Sequence, residues 1–189
     1  MRVIAGEFRS RKLKTLPGLS TRPTPDRLRE TLFNILQSRL DGTIFLDAYA
    51  GTGAVGIEAL SRGARHAIFV DRSRAAVEVI RENLASLGIV SRSEVFCGKA
   101  TQVIERMPSD IAFDISCDIA FIDPPYELED EYTLALTALS LSAASLVIAQ
   151  HSFKAKLAPD YGRLSRTREV KQGDNLLSFY ERIFVSDIL

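Results

Sequence analysis

The sequence predicts an α/β fold: a seven-stranded, mostly parallel sheet covered on both faces by helices, ending in a C-terminal antiparallel hairpin and preceded by an N-terminal β-hairpin extension. Three observations predict it. From residue 44 onward, short apolar runs alternate with amphipathic stretches of helical period, the pattern of buried strands and the helices that cover them. A glycine-rich turn, Gly51-Thr52-Gly53-Ala54-Val55-Gly56, follows the first of those runs, where such a sheet opens its ligand crevice. The last two runs are joined directly by Gln172-Gly173-Asp174-Asn175, a turn that makes them an antiparallel pair.

Taken in order, residues 2–14 read as two short strands around Gly6-Glu7, with basic and apolar side chains interleaved on the second. Pro17, Gly18, Pro23 and Pro25 mark a connector. Thr24 caps the next helix, Pro25 stands at its first position, where a missing N–H is tolerated, and Leu28, Thr31, Leu32, Ile35, Leu36 and Leu40 recur along its inner face. Strands follow near 44–48, 66–71, 93–97, 118–122 and 145–150, with helices near 54–62, 73–87, 100–107 and 129–142 between them. Residues 163–171 and 175–185 form the terminal hairpin, with Phe179, Tyr180 and Phe184 mostly in the core. At 189 residues and 46% hydrophobic content, the chain is expected to be a single domain with one core. Residues 1–20 are its basic hairpin or arm, and residues 21–189 carry the site.

Net charge is zero, but residues 1–30 hold eight basic side chains against three acidic ones. A basic arm on an acidic body suits a polyanionic partner, although a solvated charged face produces the same pattern. Cys97 and Cys117 are too few and too ill-spaced for a disulfide framework or a zinc site, so no metal is expected and both read as buried or semi-buried thiols. Glu7 and Arg9 interrupt the N-terminal apolar stretches, which excludes a signal peptide. No apolar run reaches the roughly 20 residues of a membrane span, and the expected location is the cytoplasm. His66 and His151 flank apolar strands and read as satisfied core or edge histidines.

Glycines at 51 and 53 allow a tight turn and close approach of a ligand to the backbone. GTGAVG matches the dinucleotide fingerprint, and Asp71 follows Gly51 by the expected 20 residues, so the motif alone does not separate a nicotinamide dinucleotide from S-adenosylmethionine. Asp71 can accept from two ribose hydroxyls, and an Asp there also caps a helix starting near Ser73. Asp47 discriminates, because a carboxylate before the loop opposes a pyrophosphate but favours a cationic sulfonium and ammonium. Lys99 cannot accept from an adenine amino group, which leaves backbone groups of Lys99 and Ala100 to recognise adenine. A parallel sheet finished by an antiparallel hairpin is the arrangement of the Rossmann-like class I methyltransferase fold.

Asp118-Ile119-Ala120-Phe121-Ile122 delivers Asp123-Pro124-Pro125-Tyr126 at its carboxyl end, in the expected crevice. Two prolines stiffen this loop, so the Asp123 carboxylate and the Pro124 carbonyl can grip one –NH2 group and hold its nitrogen in line with a methyl–sulfonium bond. A delocalised amine nitrogen is a poor nucleophile, and orientation with charge stabilisation carries the catalysis. Tyr126 can stack on an extruded base, worth about 1–3 kcal/mol. A strand-terminating turn with a packed tyrosine is the plainer account of the same tetrapeptide.

RVIAGEFRSRKL at 2–13, RPTPDRLRETLFNIL at 22–36, DAYAGTGAVGIEALSRGA at 47–64, FIDPPY at 121–126 and QGDNLLSFYER at 172–182 resemble the bacterial 16S ribosomal RNA guanine-N2 methyltransferases specific for guanine 966. That resemblance implies that Asp123, Pro124 and Tyr126 hold the target guanine and that Gly51, Gly53 and Asp71 bind S-adenosylmethionine, with Asp47, Ala50, Arg72, Lys99 and Ala100 beside them as the further candidate cofactor contacts. It implies that the N-terminal hairpin and arm contact RNA or the assembling small subunit, with Arg9, Arg11, Lys12, Arg22, Thr24, Arg27 and Pro125 as the candidate contacts; Arg22, Arg27 and Arg29 read as phosphate contacts or as solvated arginines at a helix start. The partner would be 16S ribosomal RNA within an assembling 30S particle, and the enzyme a monomer. Lys99 and Gln150-His151 depart from the acceptor expected at the adenine and the acidic residue expected after the fifth strand. Three alternatives remain open at this point. A DNA adenine-N6 methyltransferase uses the same amine grip but generally carries a target-recognition insertion. A nicotinamide-dependent oxidoreductase explains GTGAVG alone, and a non-catalytic RNA-binding module keeps the fold without the reaction.

Overall fold

The computed structural model describes residues 1–16, 26–106, 117–125 and 128–183. Its contacts divide the chain into two compact units, Met1–Lys99 and Ala100–Leu189. The capping pair Thr24-Pro25 lies outside the described residues, as does Phe184. Among the described residues, no helix is long and apolar enough to cross a membrane.

In the first unit, α1 (Asp26–Leu36) precedes β1 (Ile44–Ala48), α2 (Ala54–Ser61), β2 (His66–Asp71), α3 (Arg74–Leu87) and β3 (Ser93–Cys97). The strands lie in the order β3-β2-β1 and pair in parallel, with Asp47 opposite Phe69 and Asp71 opposite Cys97. This register brings the carboxyl ends of the three strands to one edge. Ser73 caps α3, its hydroxyl accepting from the Ala76 N–H (3.3 Å), and Gly88 ends that helix at φ 72°, a left-handed position that suits glycine.

In the second unit, α4 (Ala100–Arg106), β4 (Ile119–Ile122), α5 (Glu129–Leu141) and β5 (Leu146–Ser152) precede β6 (Asp160–Tyr161), β7 (Leu164–Gln172) and β8 (Asn175–Arg182). Their order is β4-β5-β8-β7-β6. β4 and β5 are parallel, while β5, β8, β7 and β6 pair antiparallel in succession, with an irregularity at Arg166/Arg168. The terminal hairpin turns where the Gly173-Asp174 pair predicted it. Eight strands are described where seven were expected; the additional one is two-residue β6, too short for any periodicity to mark it.

Two further expectations change, and one gains a detail. The N-terminal β-hairpin forms: Arg2 and Lys12 bridge antiparallel, the Val3 N–H donates to the Arg11 carbonyl (3.0 Å) and the Leu13 N–H to the Met1 carbonyl (3.0 Å). Other donors of the arm point at α2. Ile4 and Ala5 N–H groups donate to the Glu58 carboxylate (2.8 and 2.9 Å), Phe8 N–H to Ser61 Oγ (3.0 Å) and Glu7 N–H to the Ser61 carbonyl (2.7 Å). Gly6 permits this approach, since a Cβ there would stand 1.8 Å from the Ser61 carbonyl oxygen. The inner face of α1 also rotates: Arg29, read as a phosphate contact or a solvated arginine, is buried with Phe33, Leu28, Leu32 and Leu36, while Thr31 and Ile35 are half-buried. Cys97, expected to be buried or semi-buried, is exposed because β3 is a partly solvated strand, and Cys117 is the buried thiol. Burial pushes the Cys117 thiol up to about 12.

Val3, Phe8 and Leu13 of the arm enter one apolar cluster with Ile57 and Leu60 of α2, Phe69 of β2 and Ile80 and Leu84 of α3. The arm is thus part of the first unit's core. Beside that cluster, fully buried Glu58 receives Arg62 Nε (2.8 Å) and faces fully buried Arg29 at 4.0 Å. Arg29 in turn donates to the Arg2 carbonyl (2.6 Å) and to Asp26 (3.0 Å). Burial lowers the Arg29 pKa from its ordinary value, opposed by Glu58 and Asp26. Removing one partner of a buried pair strands the other charge, which costs about 3–5 kcal/mol. Glu58→Ala is therefore expected to lower the unfolding free energy in urea by about that amount and to accelerate amide exchange at Ile4 and Ala5. A small loss with unchanged exchange would mean that the arm is held by its apolar residues alone.

Candidate active site

β1 runs into a loop whose backbone departs from the ordinary regions three times: Tyr49 at φ 68°, Gly51 at φ 56° and Gly53 at φ 77°. For a bulky residue such as Tyr49 a left-handed φ is uncommon, and residues held this way cluster at functional sites. The three glycines have different reasons for being glycine. A Cβ on Gly56 would stand 2.4 Å from Phe69 Cε1, and one on Gly53 would stand 3.2 Å from Ile80 Cγ1. Both glycines serve close packing of α2 and its entry turn. A Cβ on Gly51 would meet nothing within 4 Å. That side of the Gly51 backbone faces open space, so a ligand can approach it.

Asp71, at the end of β2, holds that open turn. Its Oδ2 accepts the Gly51 N–H (2.8 Å) and its Oδ1 accepts the Ser73 N–H (2.8 Å). One carboxylate therefore fixes both the glycine turn and the entrance to α3, and each oxygen keeps a further acceptor lone pair. Asp47 is buried, with Oδ2 accepting the Gly56 N–H (2.8 Å). Ala50 donates to the Val70 carbonyl (2.9 Å), and Gly98 donates to the Asp71 carbonyl (3.0 Å), which draws the end of β3 beside that of β2. Arg72 and Lys99 are exposed at this edge. The first unit thus brings together Asp47, Ala50, Gly51, Gly53, Asp71, Arg72 and Lys99, while Ala100 opens α4 of the second unit.

The second unit places Asp123, Pro124 and Pro125 directly after buried β4. Asp123 is half-buried, Pro124 buried and Pro125 exposed. The Pro125 carbonyl accepts the Leu128 N–H (2.9 Å), closing the loop onto the start of α5. Tyr126 lies outside the described residues. Tyr132 of α5 shares its hydroxyl proton between the Gln150 carbonyl (2.9 Å) and the Pro124 carbonyl (3.4 Å). This contact joins the loop to the end of β5. His151 is buried between the Ser152 carbonyl (3.0 Å) and Ser178 Oγ (2.8 Å), and burial lowers its pKa.

On the arm, Arg9, Arg11 and Lys12 are exposed on one short segment. Arg11 also donates to the Ser86 carbonyl (2.9 Å). Arg27 is exposed in the first turn of α1, and Arg22 and Thr24 lie outside the described residues. Three contributors went unmarked in the sequence. Tyr132 left no signal there, since an aromatic in a helix usually means core. Asn83 did leave one, being a polar residue on the apolar stripe formed by Ala76, Ile80, Leu84 and Leu87. Its carboxamide accepts from the Lys14 N–H (2.7 Å) and donates to the Thr52 carbonyl (3.1 Å), tying the arm to the glycine loop. Tyr49 showed nothing until its φ was known.

The family model described as Conserved hypothetical protein 95 matches residues 1–181. The Ribosomal RNA small subunit methyltransferase D of Escherichia coli strain K12 is 33% identical over 186 residues, 96% of this chain and 90% of that protein. A hypothetical protein of Thermus thermophilus has a solved structure similar at TM-score 0.77 and 30% identity, covering 96% of this chain and 99% of its own. An RNA methyltransferase from Salinibacter ruber, solved in complex with S-adenosyl-L-homocysteine, shares the fold at TM-score 0.60 and 17% identity over 85% of this chain and 93% of that one. The fold is therefore the α/β methyltransferase fold, with its C-terminal antiparallel strands.

The clamp on the glycine turn is open to test. Asp71→Ala removes two hydrogen bonds to a charged acceptor and is expected to lower stability by roughly 1.5–3 kcal/mol, with faster amide exchange at Gly51 and Ser73. Native exchange at Gly51 in that variant would mean that another group holds the turn.

Proposed function

The chain belongs to the Conserved hypothetical protein 95 family, and on that premise we propose that it is an S-adenosylmethionine-dependent methyltransferase acting on the exocyclic N2 of one guanine, guanine 966, of 16S ribosomal RNA. The observation that carries this reading is the pairing, in one chain, of an open glycine turn held by Asp71 with a proline-stiffened Asp123 loop at the end of β4. The relative from Escherichia coli, whose name states small-subunit ribosomal RNA, supports RNA over DNA as the substrate. It equally favours an enzyme over a binding module, and methyl transfer over hydride transfer.

S-adenosylmethionine fits the residues present, and it supplies an electrophilic methyl group on a cationic sulfonium. Gly51 admits it to the backbone with Ala50, Gly53 shapes the turn between them and α2, and Asp71 offers carboxylate oxygens to ribose hydroxyls. Asp47 contributes negative charge from beneath the turn. Arg72 borders the ribose, and Lys99 and Ala100 offer backbone groups to adenine.

On the substrate side, the Asp123 carboxylate and the Pro124 carbonyl accept the two N–H groups of the guanine amine. This fixes the direction of its nitrogen lone pair and stabilises the positive charge that grows there. The contact from Tyr132 holds the Pro124 carbonyl in place for that role. After transfer the surplus proton passes to the Asp123 carboxylate or to water. Tyr126 and Pro125 pack on the base. Arg9, Arg11 and Lys12, with Arg22, Thr24 and Arg27, meet RNA phosphates. Residues 1–20 serve as the RNA-contacting arm and residues 21–189 as the catalytic core of one domain. The enzyme acts as a monomer in the cytoplasm, on an assembling 30S particle.

Labelled S-adenosylmethionine incubated with unmodified small-subunit particles, naked ribosomal RNA and DNA tests this directly. Label on one guanine N2 of the particle is expected; label on DNA adenine, or none, rejects the reading. Asp123→Ala is expected to abolish transfer with cofactor affinity near wild type, and persistent transfer would remove Asp123 from the amine grip. Neutralising Arg9 and Lys12 is expected to reduce the salt dependence of RNA binding by about 0.7 to 0.9 in log–log slope per lost phosphate contact. An unchanged slope counts against contact by the arm.

A further inference from the structure

The second unit carries a surface that the amine grip does not use. Ile122 pairs with Ala149, and β5 continues to Ser152, so its end rises three residues beyond the level of Ile122. There the Phe153 N–H donates to the Asp174 carbonyl (3.0 Å), tying the residue to the β7–β8 turn. Phe153 is 43% exposed, and Lys171 Nζ lies 4.9 Å from its ring centroid, within cation–π range. Lys154, Lys156, Arg163 and Arg168 are exposed on the same stretch, whereas Arg166 is paired with Glu169 at 2.9 Å.

An exposed phenylalanine is ordinary by itself. Here it sits under an ammonium group, in a stretch, residues 153–172, with six basic against two acidic side chains in a chain of zero net charge. An aromatic platform among cations is how proteins hold single-stranded nucleic acid: bases stack on the ring and phosphates meet the charges. Duplex RNA offers no unpaired base to such a platform. Strand spacings of about 4.8 Å and rises of about 3.3 Å per residue put this rim on the order of 10–15 Å from Asp123, within reach of nucleotides beside the target.

We propose that Phe153, Lys154 and Lys171 form a docking rim for the single-stranded RNA flanking the target guanine. An unpaired base stacks on the exposed part of the Phe153 ring, and neighbouring phosphates meet Lys154 and Lys171. The proposal rests on the reading of the chain as an RNA methyltransferase.

Fluorescence anisotropy of a labelled single-stranded RNA oligonucleotide with the full chain, across a salt series, tests the rim. Phe153→Ala is expected to weaken binding about tenfold, and Phe153→Trp to restore it. Lys154→Ala with Lys171→Ala is expected to reduce the log–log salt slope by about 1.4, at ~0.7 per phosphate contact on a single strand. Circular dichroism and the unfolding midpoint, both expected at wild-type values, report that the variants fold. Wild-type affinity and slope in these variants would overturn the proposal, as would tighter binding of duplex RNA than of the single strand. Methyl transfer separates the two readings. A wild-type protein that binds RNA through the rim but methylates no small-subunit RNA refutes the catalytic assignment and leaves the rim standing. Normal transfer together with unchanged RNA affinity in the variants refutes the rim alone.

Discussion

The buried carboxylate of Glu58 organises the first unit. It accepts two amides of the arm, binds Arg62 one turn further along α2 and lies beside Arg29 of α1. A carboxylate taken out of water needs such a full set of donors, because desolvation otherwise exceeds what attraction returns. The set comes from three separate stretches of chain, so the charge is satisfied only when all three have assembled. Since α2 begins just after Gly53, the same helix that anchors the arm also carries the glycine turn. The arm and the glycine turn therefore share one helix.

Asn83 supplies a second tie of the same kind. Its carboxamide holds both the N–H and the carbonyl of Lys14 and, through Nδ2, the carbonyl of Thr52. The arm that presents Arg9 and Lys12 is thus stitched at its start to α2 and at its end to α3, with the glycine loop between. RNA contact by the arm and cofactor contact by the loop would then share structural members rather than sit on independent parts.

How much of this was legible in the sequence depended on the range of the interaction involved. Apolar runs such as Ile44-Phe45-Leu46 and Ala67-Ile68-Phe69-Val70 declare buried strands locally, and Gly173-Asp174 declares a turn, so elements and order could be read directly. The glycine turn and Asp71 were legible because backbone geometry dictates both residue types. The hairpin of the arm was legible, but its tie to Glu58 was not, because that carboxylate lies more than fifty residues away and no local pattern announces it. Arg29 was placed at the surface for a related reason: helical periodicity counts apolar residues, and a buried guanidinium breaks the count. Tyr132 looks like any core aromatic until its hydroxyl is seen between two carbonyls.

The two cysteines differ in a way that makes the protein convenient to observe. Cys117 is buried with its thiol pushed up to about 12, so it stays protonated and slow toward electrophiles. Cys97 is exposed at the end of β3, its Sγ 4.0 Å from the Arg72 carbonyl, just past the end of β2. A maleimide dye added to the unmodified chain would therefore attach at one place, beside the proposed adenosine position. Ligand arrival could then be followed as a change in fluorescence, without engineering a label into the sequence.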